Sequence, residues 1–381
     1  MKVLSQGGSA GWWLVVGMML VGMVARSDGA GEEALTALTG YDGGFFVRSA
    51  EEAFELRLNG RVQLRYQYEQ HDGEEDLSSF YVRRLRLDFT GFVLDPAWTF
   101  RIMPDFARDA SLRDGWVNYA HTPALQLRAG QFYVPFQWQR SVAGSRQHFV
   151  ERGLPSRDFG FPDGYDIGVM LHGRATDRRW AYGLGVFDGA GRNVKESHSN
   201  GNMASARVAR ALTGGLPREE SDYALSETPQ WAVGFGVQAA NQNEVRAWDL
   251  GRSDPDAPDR RADWAAVTAD TRLAYRGFSL AVEGYWRGVE PRAAEVDDYD
   301  GWAYMVTAGW FVLPERCEIT GRYSQQRDDR DDAETERTEW GAGVNIYFAG
   351  HHRKLRLQHL NQTHGTDGHD RFFIIEQHLQ F

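Results

Sequence analysis

Between Phe54 and Tyr68 the chain alternates without a break. Phe54, Leu56, Leu58, Gly60, Val62, Leu64, Tyr66 and Tyr68 share one parity, and Glu55, Arg57, Asn59, Arg61, Gln63, Arg65 and Gln67 share the other. A period of two marks a strand, whose successive side chains point to opposite faces. At ~3.3 Å per residue the run spans about 50 Å. Strands of soluble domains are usually about 5 to 6 residues long. A transmembrane barrel has room for such a strand, apolar toward lipid and polar toward a wet lumen. An arginine facing the middle of the bilayer costs about 2–4 kcal/mol, so the arginines of this run have to point inward.

The same alternation, broken by turn signals, predicts sixteen strands from 54–68 to 370–381. The even number suits a single-chain barrel of antiparallel strands. With the N-terminus periplasmic, the connections at that end are tight, as at Arg276–Gly277 and Pro314, and the external ones are longer and rich in Asp, Glu, Gly and Pro. One link breaks the rule. Residues 212–230 are long where a short turn belongs, which means either a miscounted strand or an extended periplasmic turn. Arg83 sits at lipid-facing parity between Tyr81 and Leu85, so it has to lie at an interface or mark a bulge. Aromatic residues gather where strands should cross the interfaces (Trp98, Phe100, Trp180, Tyr182, Tyr285, Trp286, Trp302, Tyr304, Trp340, Tyr347 and Phe348). The last strand alternates up to a terminal Phe381.

Composition changes the picture at the ends and in the charge. The apolar run Gly11–Ala25 follows Lys2 and is shorter than the ~20 residues a spanning helix needs, so residues 1–27 are expected to be a cleaved export signal. Residues 28–53 are then expected to be a leader, with a turn or two of helix within 28–40, and 54–381 the barrel. Without Lys2 and Arg26 the chain carries 40 basic against 53 acidic residues, a net charge of −13 that disfavours nucleic acid as a partner. Lysine is almost absent (Lys2, Lys195, Lys354), so positive charge is carried by arginine. Cys317, the single cysteine, lies at the apolar parity of Ile319 and Tyr323 and excludes an intrachain disulfide.

By parity, Arg57, Arg61, Arg65, Arg84, Arg86, Arg101 and Arg128 are candidates to line a lumen. Fixed positive charge along a narrow pore focuses the field on anions and replaces their hydration with charge-assisted hydrogen bonds. The same arginines are equally able to pair with Glu55, Asp88, Asp105 and Asp114 and merely stiffen the wall. The connection 134–163 is too long and apolar to float above a membrane. Phe136, Trp138, Phe149, Leu154, Phe159 and Phe161 are placed to pack it inside the barrel, leaving Arg140, Arg146, Glu151, Arg152 and Arg157 to narrow the channel. The alternative for this segment is an extracellular interaction loop.

Taken in order, GYDGGFFVRS (41–50), LRLNGRVQLRY, FYVRRLRLDFTG, LRAGQFYVPF, FVERGLPSRDF, YDIGVMLHG and YGLGVFDG resemble the phosphate-selective porin O and P family. The likeness covers most of residues 41–211. It implies a sixteen-stranded barrel in the bacterial outer membrane, usually trimeric, with a loop folded into the pore and arginines along an anion path. By motif the family's residues fall on Arg61, Arg84, Arg86, Glu151 and Arg152. Two features depart from the selective members. Tyr133 stands in the GQF motif where a lysine is common, and the external loops are acidic at Glu74–Asp76, Asp254, Asp256, Asp297, Asp298, Asp300 and Asp328–Asp332.

The expected function is passive diffusion of small solutes, with a preference for anions such as phosphate. The expected partners are small anionic solutes, outer-membrane lipid and two further copies in a homotrimer, with no catalytic residue, metal or cofactor. A rival from another class is a barrel with a closed lumen serving as adhesin or scaffold, and a third is a soluble sugar-binding sandwich.

Overall fold

The computed structural model describes residues 37–107, 110–194, 202–244, 261–292, 297–365 and 368–381. The expected export signal, Lys195, Asp254 and Asp256 lie outside the described residues. The chain forms one antiparallel sheet in chain order. A hairpin, β1 (Ala37–Tyr41) and β2 (Phe45–Ser49), precedes β3 (Phe54–His71), β4 (Leu77–Val93), β5 (Asp95–Asp105), β6 (Ser111–Thr122), β7 (Leu125–Tyr133), β8 (Tyr165–Arg174) and β9 (Trp180–Phe187). Then follow β10 (Met203–Thr213), β11 (Gln230–Glu244), β12 (Arg261–Tyr275), β13 (Phe278–Pro291), β14 (Tyr299–Leu313), β15 (Cys317–Arg327), β16 (Glu336–Ala349), β17 (Arg353–His364) and β18 (Gly368–Gln380).

Strand β18 pairs with β3 from Asp370↔His71 to Gln380↔Arg61, so β3 to β18 close into a barrel of sixteen strands. Closure leaves no backbone edge in lipid, where each unpaired amide or carbonyl costs several kcal/mol. The seam ends on Phe381, whose N–H donates to the Gly60 carbonyl at 3.0 Å and whose carbonyl accepts from Gly60 at 2.8 Å. Its ring covers Gly60, where a Cβ would stand 2.1 Å from Cζ, so a larger residue there would displace the ring. Below this point β2 takes over the same edge of β3, pairing Phe45 with Leu58 and Arg48 with Glu55. The helix expected within 28–40 is corrected where it can be seen, since residues 37–40 are strand, and 28–36 lie outside the described residues.

The burial pattern is the reverse of a soluble protein's. Phe80 is 84% exposed, and Leu127, Val186, Trp231, Phe235, Trp310 and Ile319 are also exposed, whereas Arg272, Glu283, Arg322, Lys354, Arg356 and Glu376 are buried. Among soluble folds charged residues are the least buried type. Here the outer face meets lipid and the inner face holds the charges. Two of the expected girdle aromatics are corrected. Tyr285 and Tyr347 point inward, where their hydroxyls donate to Glu283 and Glu318, because they share parity with those acids along and across the strands.

The tight turns lie at the end that carries Phe381. Arg276 and Gly277, both at positive φ, join β12 to β13 in two residues, the geometry that matches strand twist. The long link at that end is an extended turn, Gly214–Pro229, and not a miscounted strand. It folds inward, with Glu220, Ser221 and Asp222 buried and Tyr223 packed on Phe311, Tyr347 and His351.

Candidate functional site

The connection from β7 to β8 enters the barrel. Its short helices Trp138–Ser141 and Leu154–Asp158 have no N-cap side chain and depend on packing instead. Phe136, Trp138, Phe149, Leu154, Phe159 and Phe161 are all buried. Phe136, Phe159 and Phe161 join Phe132, Phe187, Met203, Trp264 and Tyr285 in one cluster, and Phe149 joins Leu360 and Ile374 in another. Polar groups of the wall bind the loop backbone. Glu283 accepts from the amides of Trp138 and Gln139 at 3.2 and 3.0 Å, and Arg207, Arg287 and Arg322 donate to the carbonyls of Phe136, Asp158 and Glu151 at 2.8, 2.7 and 2.7 Å. Arg356 donates to the carbonyls of Gly144, Gln147 and Phe149. From the other end the extended turn meets the loop, for Glu220 accepts from the His148 amide at 2.6 Å and from Gln139 Nε2 at 2.8 Å.

Loop and turn occupy the lumen on the β11–β18 side, and a cavity of about 1140 Å³ remains along β3–β10. Thirteen arginines line it against four carboxylates, Asp105, Asp114, Glu151 and Asp163. Of the expected wall arginines, Arg61, Arg84, Arg86, Arg101 and Arg128 face the cavity. Arg86 pairs with Asp105 at 2.6 Å and Arg101 with Asp88 at 2.7 Å. Among the described residues Arg61 hydrogen-bonds the Gln380 amide oxygen alone, at 3.3 Å, and Arg128 lies over the Trp116 ring, 4.1 Å from its centroid. Arg57 and Arg65 do not line the cavity. Arg57 pairs with Glu55 at 2.5 Å near the hairpin, and Arg65 is held between Glu376 and Glu151 at 2.7 and 2.8 Å.

Of the loop residues, Arg140, Glu151, Arg152 and Arg157 face the cavity. Arg146 turns away to the extended turn, 3.9 Å from Glu219. Arg152 donates to the carbonyls of Arg140 and Val142 at 3.4 and 3.2 Å and, among the described residues, pairs with no carboxylate. Burial, with Arg140 beside it, pulls its pKa down to about 10, which leaves it cationic at neutral pH. Burial alone would raise the Glu151 carboxyl, but Arg84, Arg65 and Arg83 outweigh it and hold the group well below the usual carboxylate range.

Arg83, Arg113, Arg174, Arg192 and Arg207 also line the cavity and were not among the expected pore residues. Arg83 is the extra residue of a β-bulge between the pairs Gln63↔Arg84 and Leu64↔Val82, so Arg83 and Arg84 both point inward and Tyr81 shifts to the inner face. Parity alone would have found Arg207, which lies on the same face as Ser205 and Ala209. At the outer rim Asp163 gathers Arg192, Arg113 and Arg140 at 3.0, 3.8 and 4.0 Å. Asp328, expected among the exposed acids, is instead buried against Arg287 and Arg337.

The fold matches solved outer-membrane barrels. An anion-selective porin from Comamonas acidovorans superposes with a TM-score of 0.59 over 86% of this chain and 100% of that one, at 12% identity. A loop L8 deletion mutant of OmpT, an outer membrane protein of Vibrio cholerae, gives 0.60 over 86% and 100%, at 14% identity. At these identities the likeness is one of fold. An uncharacterized protein of Aquifex aeolicus is 20% identical over 336 residues, 78% of this chain and 79% of its own length. The family model described as phosphate-selective porin O and P matches residues 56–367. With the closed barrel, the inverted burial and the arginine-lined cavity, that match makes the chain an outer-membrane porin that belongs to the phosphate-selective porin O and P family.

Proposed function

We propose that this porin prefers small anions, inorganic oxyanions such as phosphate among them, and passes them by diffusion with no catalytic step. The observation that carries the reading is the cavity wall, where Arg61, Arg128 and Arg152 lack a carboxylate partner among the described residues. Guanidinium groups not neutralised in place are available to an entering anion, and low-dielectric walls concentrate their field. Arginine keeps its charge through the physiological range and presents a fork that suits oxyanions. The reading includes export through a cleaved signal over residues 1–27 and assembly as a homotrimer, the form in which the Vibrio cholerae OmpT was also solved.

The test is reconstitution in a planar bilayer under a salt gradient. The expected result is steady current steps and a reversal potential on the anion side, with Arg61→Ala combined with Arg84→Ala lowering the anion-to-cation permeability ratio several-fold. A barrel that gave no steps would have the closed lumen of an adhesin or scaffold. An unchanged reversal potential in the double variant would remove these two residues from the path.

A further inference from the structure

Glu151 sits where an anion path would least be expected to carry a carboxylate. Its Oε1 lies 2.8 Å from Arg65 Nη1 and 2.7 Å from Arg83 Nε, and its Oε2 lies 3.2 Å from Arg83 Nη2 and 3.8 Å from Arg84 Nη2. Three guanidinium groups from two paired strands thus converge on one carboxylate brought in by the loop. Two of the three stand side by side only because of the bulge at Arg83.

The carboxylate is not the sole tie between this part of the loop and the wall. The neighbouring backbone is fixed separately, by Val150 N–H on Gln358 Oε1 at 2.8 Å and by Arg322 on the Glu151 carbonyl at 2.7 Å. The Glu151 side chain is 23% exposed and borders the cavity, as do Arg83 and Arg84. Behind them Glu376 is shared between Arg65 and Arg356 and neutralises at most part of the cluster.

We propose that Arg65, Arg83 and Arg84 form an oxyanion-binding site whose resident occupant is the Glu151 carboxylate. The inference rests on the anion-conducting reading above. A permeant oxyanion reaching this point shares Arg83 and Arg84 with a tethered competitor, so it is held weakly and moves on. Conduction requires such a balance, with binding strong enough to admit the ion and weak enough to release it. Without the competitor the same arginines form a trap.

The test measures block of chloride current by inorganic phosphate or sulfate in the full-length reconstituted porin. Glu151→Gln keeps the shape and removes the charge, and half-block is expected at roughly tenfold lower oxyanion concentration than in the unaltered protein. Glu151→Asp, which keeps the charge on a shorter arm, should fall between the two. Adding Arg83→Met to Glu151→Gln should abolish the gain.

If Glu151→Gln leaves the block unchanged or weaker while the unaltered porin shows an anion-side reversal potential, the proposal is wrong and the anion reading stands. A gain that survives Arg83→Met also overturns it, because the site then lies elsewhere. A larger unitary current with no change in block would mean that the charge only positions the loop. An unaltered porin that prefers cations would end both readings together.

Discussion

At Gly236 the barrel wall leaves room for the backbone of the loop. A Cβ there would stand 2.3 Å from the Phe136 carbonyl oxygen, a backbone atom that Arg207 also holds at 2.8 Å. Gly236→Ala is therefore expected to push residues 135–137 off β11 at a cost of about 1–3 kcal/mol, read as a lower urea midpoint. His148 is the loop's titrating contact. It is buried between Glu318 at 3.2 Å and Glu220 at 3.7 Å, with Ser279 and Thr307 also in reach. Burial disfavours its imidazolium, as does Lys354, but the two carboxylates outweigh both and raise its pKa above the ordinary value. A raised folded pKa means stabilisation that is complete below about pH 6.5 and fades as pH climbs through the higher folded value. Loop-dependent current noise should accordingly grow on the alkaline side, and His148→Gln should flatten that profile. Single residues were legible in part. The inward parity of Arg61, Arg84, Arg86, Arg101 and Arg128 followed from alternation, but the partners of Arg65 and Arg356 did not, because Glu376 lies some 311 positions from the first and 20 from the second.

Among the elements, the loop and the extended turn form a clasp from opposite mouths of the barrel, joined through Glu220. Arg356 anchors it at several points, with three loop carbonyls within reach of one nitrogen and Glu376 on the other. Arg356→Met leaves those carbonyls without that donor and Glu376 with Arg65 as its remaining partner, so the cost stays below the roughly 3–5 kcal/mol of a buried charge stripped of its pair. The expected outcome is a loop cut by protease in the intact barrel, seen as a limited-digest fragment that the unaltered protein does not give. Long strands were readable because fifteen or so alternations outweigh any local accident, as in β3. The hairpin at 37–49 was not, since each arm has only 5 residues and its pairing depends on β3 ending its contact with β18. The bulge at Arg83 was foreseen only as one of two options, because a parity slip shows itself in the sequence before its cause does.

For the whole molecule, the sign of the charge changes between mouth and interior. Glu74, Glu75, Asp76, Asp297, Asp298 and Asp331 are exposed on the external connections, above a cavity dominated by arginine. Exposed charges are screened beyond about 8 Å at physiological ionic strength, and buried ones much less. Anion entry should therefore be most suppressed in dilute salt. Neutralising Glu74–Asp76 to Asn and Gln is expected to raise anion conductance severalfold at ~0.01 M salt and barely at ~1 M, a difference that paired conductance curves would record.

The handover on β3 bears on how this barrel avoids sticking to others. Where the terminal strand stops at Phe381, positions Glu55 to Leu58 would face outward as a bare row of donors and acceptors, and the short hairpin caps them. A chain begun at residue 54 should still conduct, yet its uncapped rim would invite edge-to-edge adhesion between molecules. The modest segment ahead of the first long strand thus gives partners to a stretch of β3 backbone that the last strand leaves bare.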